Sequence, residues 1–264
     1  MKPLYLGPWA GEFGWELCWW NPLARRLAEG RGVVIVAAPA SSEHLYEFAT
    51  KFIPLKTASR SSHTGDIEEM PIVEGCEMIT PAARWNAGRE RNALRGGWAS
   101  NTPKSWRLLR QTGAEPVADV LCSFRPKKRL NGRIDPGKEY AFDKCVEMVK
   151  GLIDAGLTVA CYGGPDNYLI EGTIDLRGKP LAEQCAALSG ARCAVGPSSG
   201  PLHLASLCAC RHVTWHLRDK TSHIRYEEEW NPFHTPLKFL RGSPTPKEIS
   251  KAVIELCEKN SSYR

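Results

Sequence analysis

The sequence predicts an α/β protein of two doubly wound, Rossmann-like domains, residues 1–115 and 116–264. Three observations carry this reading. Short β-branched runs alternate with amphipathic stretches, the pattern that winds a parallel sheet through right-handed crossovers. The alternation restarts after Gly113-Ala114-Glu115-Pro116. A chain of 264 residues also accommodates two domains of roughly 100–130 residues each.

Taken in order, Lys2–Leu6 reads as a first strand, Gly7–Gly14 as a Gly-rich loop, and the following segment as a helix ending near Gly30. Val33-Val34-Ile35-Val36 is a continuous apolar run, as expected of a strand buried on both faces. Between Thr57 and Thr80 the chain is rich in Ser, Gly, Pro and acids, with one short strand expected at Pro71–Val73. In the second half, strands are expected at Asp119–Phe124, Leu157–Tyr162, Thr173–Leu176, Ala191–Val195 and Val213–His216. Phe142, Cys145, Val146, Val149, Leu152 and Ile153 form one helical stripe. Further helices are read around Leu181–Leu188 and Pro201–Cys208. The terminal helix, 246–258, starts on a capping box of Thr245 and Glu248 with Pro246 at its first position. It is read as a helix that can pack back on the N-terminal domain.

Composition narrows the class. The chain is 42% hydrophobic and 24% charged, and no run approaches the ~20 apolar residues of a membrane span. Met1-Lys2-Pro3-Leu4 leads directly into a strand without a signal-peptide pattern, so a cytoplasmic protein is expected. Of the ten cysteines, Cys18, Cys122, Cys145, Cys161, Cys185, Cys193 and Cys257 lie singly in apolar stretches and Cys208 and Cys210 fall two apart in a helical run, which reads as reduced core residues rather than disulfides or a zinc site. The net charge of +6 is matched by one window, Ala82–Thr112. There Arg84, Arg89, Arg91, Arg95, Lys104, Arg107 and Arg110 face the single acid Glu90, with Trp85, Trp98 and Trp106 interleaved. Such clustering is a footprint for an anionic partner; a solvated face with inward tryptophans is the competing reading.

The most informative segment runs from Ile174 to Trp215. A buried strand leads into Gly196-Pro197-Ser198-Ser199-Gly200, and a helix starts at Pro201. A strand-to-helix junction presents backbone N–H groups and the positive end of the helix dipole, which suits phosphate. The hydroxyls of Ser198 and Ser199 add donors, Gly200 permits close approach, and His203 lies in the first turn. Ligands of open α/β sheets bind at the carboxyl ends of the strands, where this loop falls.

These elements, in this order, resemble the donor-binding half of the heptosyltransferase-type glycosyltransferases. The matching residues are Leu176-Arg177-Gly178, the helix Leu181–Leu188, the strand Ala191–Gly196, and Ser198-Ser199-Gly200-Pro201-Leu202-His203-Leu204-Ala205, with Ser198 standing where the family has Asp. Tyr162-Gly163-Gly164-Pro165-Asp166 resembles the family's Gly-rich turn near the donor nucleotide. The resemblance implies two Rossmann-like domains facing across a cleft, the glycosyltransferase-B fold. It implies a nucleotide-sugar donor held by Gly163, Gly164, Ser198, Ser199, Gly200 and His203. It also implies inverting transfer that needs neither a metal nor a cofactor. Arg125 and Lys127, after the strand Asp119–Phe124, are placed to neutralise a departing nucleoside diphosphate. A general base must take the acceptor's proton. Counting from the first strand selects Glu12, and counting back from Asn21-Pro22 selects Glu16, so both are candidates, Glu12 ahead.

The acceptor is expected on the N-terminal domain, touched by Arg84, Arg91, Arg95, Trp98 and Arg107. A hydroxymethylated base in DNA, as in phage-type DNA base glycosyltransferases, is placed ahead of a phosphorylated saccharide such as a lipopolysaccharide core. An epimerase or phosphorylase on the same fold and a non-catalytic nucleic-acid-binding protein are the competing functions.

Overall fold

The computed structural model describes residues 2–56, 71, 73–81, 104–126, 129–130, 133–134, 140–216 and 222–258. The chain divides into two compact units, Met1–Arg107 and Leu108–Arg264.

The first unit is built on four parallel strands: β1 (Leu4–Leu6), β2 (Val34–Pro39), β3 (Lys51–Leu55) and β4 (Glu77–Ile79), in the order β3-β2-β1-β4. β1 and β2 are buried along their whole length, which explains their uninterrupted apolar sequence. Ala37 and Ala38 leave room for the loop after β1. A Cβ on Gly7 would stand 2.6 Å from the Ala37 carbonyl oxygen, and Gly7 has φ +135°, so the chain leaves β1 through a residue only glycine can occupy. The Trp9 N–H then donates to that same carbonyl at 2.9 Å.

The helical stretch that follows is not uniform. A short turn, α1 (Phe13–Trp15), leads into a π-helical segment, Glu16–Trp20, and then α2 (Asn21–Ala28). Pro22 explains the wide turn. It has no N–H to give to residue 18, and its ring would crowd that carbonyl in a regular helix, so Asn21 N–H reaches back to Glu16 O instead. Trp9, Trp19 and Trp20 cluster beneath, Trp9 and Trp20 near-parallel with ring centroids 6.2 Å apart.

The strand expected at Pro71–Val73 is not formed by its described residues; pairing with β1 falls to Glu77–Ile79. β3 escaped the sequence reading because Lys-Phe-Ile-Pro-Leu carries a lysine and a proline. As the edge strand of its sheet it accommodates both.

The second unit holds six parallel strands: β5 (Val120–Cys122), β8 (Val159–Gly163), β9 (Ile174–Arg177), β10 (Cys193–Pro197), β11 (His212–His216) and β12 (Leu237–Arg241). Their order is β12-β11-β10-β5-β8-β9, the Rossmann order of two halves wound outward from a central pair. A two-stranded ribbon, β6 (Arg129–Leu130) with β7 (Arg133–Ile134), follows β5. The helices are α3 (Phe142–Asp154), α4 (Leu181–Gly190), α5 (Gly200–Leu207), α6 (Ser222–Glu229) and α7 (Pro246–Glu258).

The core gathers Val120, Phe124, Met148, Val149, Leu152, Val195, Trp215, Ile249 and Val253. α3 buries Cys145, Met148, Val149 and Leu152, whereas Phe142, Val146 and Ile153, expected on the same stripe, are exposed by more than a third. α7 spends its apolar face inside this unit, on α3, β10 and β11. Gly151 allows the close approach: Ser250 Oγ donates to Met148 O at 3.0 Å and would lie 3.2 Å from a Cβ at 151. The capping box stands as read, with Thr245 N–H donating to Glu248 Oε2 at 2.7 Å and Glu248 N–H to Thr245 Oγ1 at 3.3 Å. All ten cysteines are free thiols, nine of them buried.

Candidate functional site

In the second unit, strand order reverses between β5 and β10, and a crevice opens outside the carboxyl ends of such a pair. Two chain segments leave the sheet here. Ser123-Phe124-Arg125 follows β5, and Ser198-Ser199-Gly200 follows β10. They are drawn close together: a Cβ on Gly196 would stand 2.5 Å from Ser123 O and 2.8 Å from Leu202 Cδ2. Ser123 N–H donates to Val195 O and Ser198 N–H to Trp215 O, so the two exits are laced to their neighbouring strands.

Ser199 is the N-cap of α5 in an extended conformation, and its carbonyl accepts from Leu202 and His203 N–H at 3.0 and 3.1 Å. Its hydroxyl makes no capping bond. The start of α5 is pinned to β8 by Tyr162, whose hydroxyl donates to Pro201 O at 2.8 Å. Ser198, Ser199 and Gly200 are buried. His203 is in the first turn, buried, its ring 4.6 Å from Trp230 and 5.1 Å from Tyr226. Arg125, three residues beyond the end of β5, is half-buried; Lys127 lies outside the described residues.

Gly163 and Gly164, at the end of β8, differ in what surrounds them. The backbone of Gly163 is held by Gln184 of α4, which accepts its N–H at 3.1 Å and donates to its carbonyl at 3.4 Å. Gly164 is exposed. Asn167 bridges the turn, its amide donating to Ser123 Oγ at 2.9 Å and to Tyr162 O at 3.1 Å. Sequence reasoning missed Ser123, Asn167 and Gln184. The one available signal was a glutamine on a helix face otherwise filled by Leu181, Cys185 and Leu188.

In the first unit the loop after β1 crosses the carboxyl ends of three strands, since Gly7 N–H donates to Ile79 O at 3.1 Å and Trp9 N–H to Ala37 O. Between Gly11-Glu12 and Asn21-Pro22 the chain forms α1 and the π-helical segment. Glu12 is the partly exposed residue preceding α1. Glu16 is wholly buried, accepting from Tyr46 OH at 2.9 Å and Ser42 Oγ at 2.8 Å.

Arg107 is 35% exposed and pairs with Glu47 at 2.6 Å. Burial would raise the Glu47 carboxyl, but the hydrogen bond and charge of Arg25 and the charge of Arg107 bring it below the usual carboxylate range. Arg84, Arg91, Arg95 and Trp98 lie outside the described residues. Among the described residues, no group of three or more His, Cys, Asp or Glu could hold a metal ion, and no helix is long and apolar enough to cross a membrane.

With this geometry, the structure matches that of E. coli ADP-heptose LPS heptosyltransferase II over 99% of this chain and 100% of the other, at TM-score 0.55 and 13% identity. This is the glycosyltransferase-B fold. The same glycosyltransferase-B architecture relates the chain to the iron-containing dodecameric glycosyltransferase TibC of enterotoxigenic E. coli H10407 (TM-score 0.51, 18% identity). That match covers 93% of this chain and 64% of TibC. TibC in complex with ADP-D-β-D-heptose matches equally, at TM-score 0.51 and 17% identity. At these identities the likeness establishes the fold. No protein-family model matches the chain, and no curated protein does either.

Proposed function

We propose that this protein is a nucleotide-sugar-dependent glycosyltransferase that moves a sugar, with inversion, onto a hydroxyl of an anionic acceptor. The observation that carries the reading is the β5/β10 crevice. There a buried Ser-Ser-Gly junction opens a helix, and the β5 exit that leads on to the half-buried Arg125 approaches it at Gly196, in a fold shared with an ADP-heptose-dependent transferase. The N-terminus of α5 and the Ser198 and Ser199 hydroxyls suit the donor's diphosphate. Ser198 in place of an acid keeps this end of the crevice free of a like charge. Arg125, with Lys127, offsets the charge that builds on the departing nucleoside diphosphate. The acceptor oxygen attacks the anomeric carbon and gives its proton to the base. The bond from that carbon to the diphosphate breaks, and its electron pair leaves with the nucleotide. Glu12 is the base, because a proton acceptor must be reachable by the acceptor hydroxyl and Glu12 is the partly exposed member of the pair.

A phosphorylated saccharide now stands ahead of DNA as the acceptor. The solved structure matched over its whole length acts, by its name, on lipopolysaccharide. Arg107, one of the cations assigned to DNA phosphates, is already engaged by Glu47, a carboxylate it shares with Arg25.

The test crosses ADP- and UDP-sugar donors with phosphorylated core oligosaccharide and hydroxymethylated duplex DNA. Transfer to the oligosaccharide is expected, with Glu12→Gln inactive but nucleoside diphosphate affinity kept within a few-fold. Full activity of Glu12→Gln would remove the base assignment, and absence of donor binding across the panel would remove the glycosyltransferase reading. DNA binding that falls with salt at a log–log slope of about −0.9 per phosphate contacted, together with transfer to DNA, would restore the DNA acceptor.

A further inference from the structure

Glu16 has no solvent exposure, yet it sits one helical turn from the proposed base. A carboxyl group taken out of water is costly unless hydrogen bonds replace the lost hydration. Here both oxygens are served by hydroxyls from a distant part of the chain. Ser42 Oγ donates to Oε2 at 2.8 Å and Tyr46 OH donates to Oε1 at 2.9 Å. Ser42 lies in the 3₁₀ turn Ala40–Leu45 that follows β2, and Tyr46 directly after it. Both are buried, and the Tyr46 ring stacks on Phe52 of β3 with centroids 5.9 Å apart. The clamp therefore ties the start of the π-helical segment to the sheet.

The other end of the linkage is backbone. Glu16 N–H donates to Glu12 O at 3.0 Å, so the rotation of this turn sets where residue 12 stands. Packing alone does not call for a carboxylate here: an apolar side chain of similar size would fill the same space without the cost of desolvation. The acid instead fixes one orientation through two directional bonds.

We propose that Glu16 is a positioning residue: held by Ser42 and Tyr46, it fixes the turn that carries Glu12 and so aims the Glu12 carboxylate. This rests on Glu12 being the base, and the experiment separates the two ideas.

Glu16→Gln, Ser42→Ala and Tyr46→Phe are compared by kcat, acceptor KM, the pH profile of kcat, and amide hydrogen exchange over residues 11–20. Each variant is expected to lose kcat on the order of 10–100-fold, the scale for a small misplacement of a reacting group. Acceptor KM and nucleoside diphosphate affinity should stay within a few-fold, and the acidic limb of the kcat profile should persist because the proposed base, Glu12, is retained in each variant. Exchange over residues 11–20 should accelerate by about tenfold or more, as loss of a buried bond loosens a local unit, while β5 and β10 are unaffected. The effects should be non-additive when Ser42→Ala and Tyr46→Phe are combined with Glu16→Gln.

Wild-type kcat in folded variants would overturn the proposal and leave Glu12 as base. An acidic limb lost in Glu16→Gln but kept in Glu12→Gln would make Glu16 the base and overturn both ideas. Unchanged exchange over residues 11–20 would overturn the clamp even if no sugar transfer were found. Tyr46→Phe removes a single oxygen, so it carries the test should Glu16→Gln fail to fold.

Discussion

At the scale of single residues, His212 shows how burial fixes a protonation state. Cys210 O can only accept, so His212 Nδ1 carries the proton that spans their 2.9 Å separation. Nε2 is then the acceptor facing Ser206 Oγ at 3.4 Å. The ring is neutral, and burial lowers its pKa to about 4 against an opposing contribution from the Cys210 carbonyl. The unfolded chain titrates near 6.5, so between pH 6.5 and pH 4 it binds one more proton than the native state, and stability drains as pH falls through that window. A shift of this size corresponds to about 3 kcal/mol. The stability difference between wild type and His212→Gln, from urea unfolding, should therefore shrink by about that amount between pH 7 and pH 4. A difference independent of pH would show that the native ring accepts a proton freely. The sites differ in how far single residues were legible. Ser198, Ser199 and Gly200 could be read because their chemistry is contained in consecutive residues. Gln184 and Asn167 could not, since their partners Gly163 and Ser123 lie 21 and 44 positions away. Glu12 and Glu16 were inseparable for the same reason, because burial of Glu16 depends on Ser42 and Tyr46, 26 and 30 positions on.

At the scale of elements, the crevice depends on how closely β5 and β10 end. Gly196→Ala would push a methyl against the Ser123 carbonyl, which belongs to the backbone and cannot rotate aside. The expected result is a loss of about 1–3 kcal/mol in unfolding free energy, the range for overpacking a tight site. Nucleoside diphosphate affinity should weaken with it, because both exits of the crevice shift. Gly32→Ala is the control: it is exposed, and a Cβ there would meet nothing within 4 Å, so both quantities should stay near wild type. Equal effects in urea unfolding and calorimetry would show that the close approach at Gly196 has no special part. Central strands such as β2, β8 and β10 were legible because burial on both faces leaves an uninterrupted apolar run. Of the four edge strands of the two parallel sheets, only β9 was expected. β3 carries Lys51 and Pro54, β12 reads Leu-Lys-Phe-Leu-Arg with partial exposure throughout, and β4 has only three residues, none buried. α6, Ser-His-Ile-Arg-Tyr-Glu-Glu-Glu, has too few apolar positions to announce a face, and the buried Tyr226 is its anchor.

At the scale of the whole molecule, the second unit contains everything its own fold requires. All six strands of its sheet, α3 through α7 and one continuous core from Val120 to Cys257 fall within residues 108–264. Its segments are cross-tied over long sequence distances. Tyr140 OH donates to Pro244 O, Ser250 to Met148 O, and the Leu109 N–H to Leu207 O. A segment of this size with a closed core lies within the range of independently folding domains. Expressed alone, residues 108–264 should fold and unfold in one cooperative transition, with coincident far-ultraviolet and tryptophan signals, since Trp215 reports on the centre of the core. The proposed donor crevice is formed by β5, β8 and β10 of the same sheet, so on that proposal the fragment should also bind nucleoside diphosphate within a few-fold of the full chain, while transferring no sugar for want of the proposed base Glu12. Calorimetric titration of fragment and full chain decides the matter. If the fragment folds but its affinity falls by more than about tenfold, the nucleotide site needs residues from the first unit. If it does not fold, the core described here is incomplete without residues 1–107.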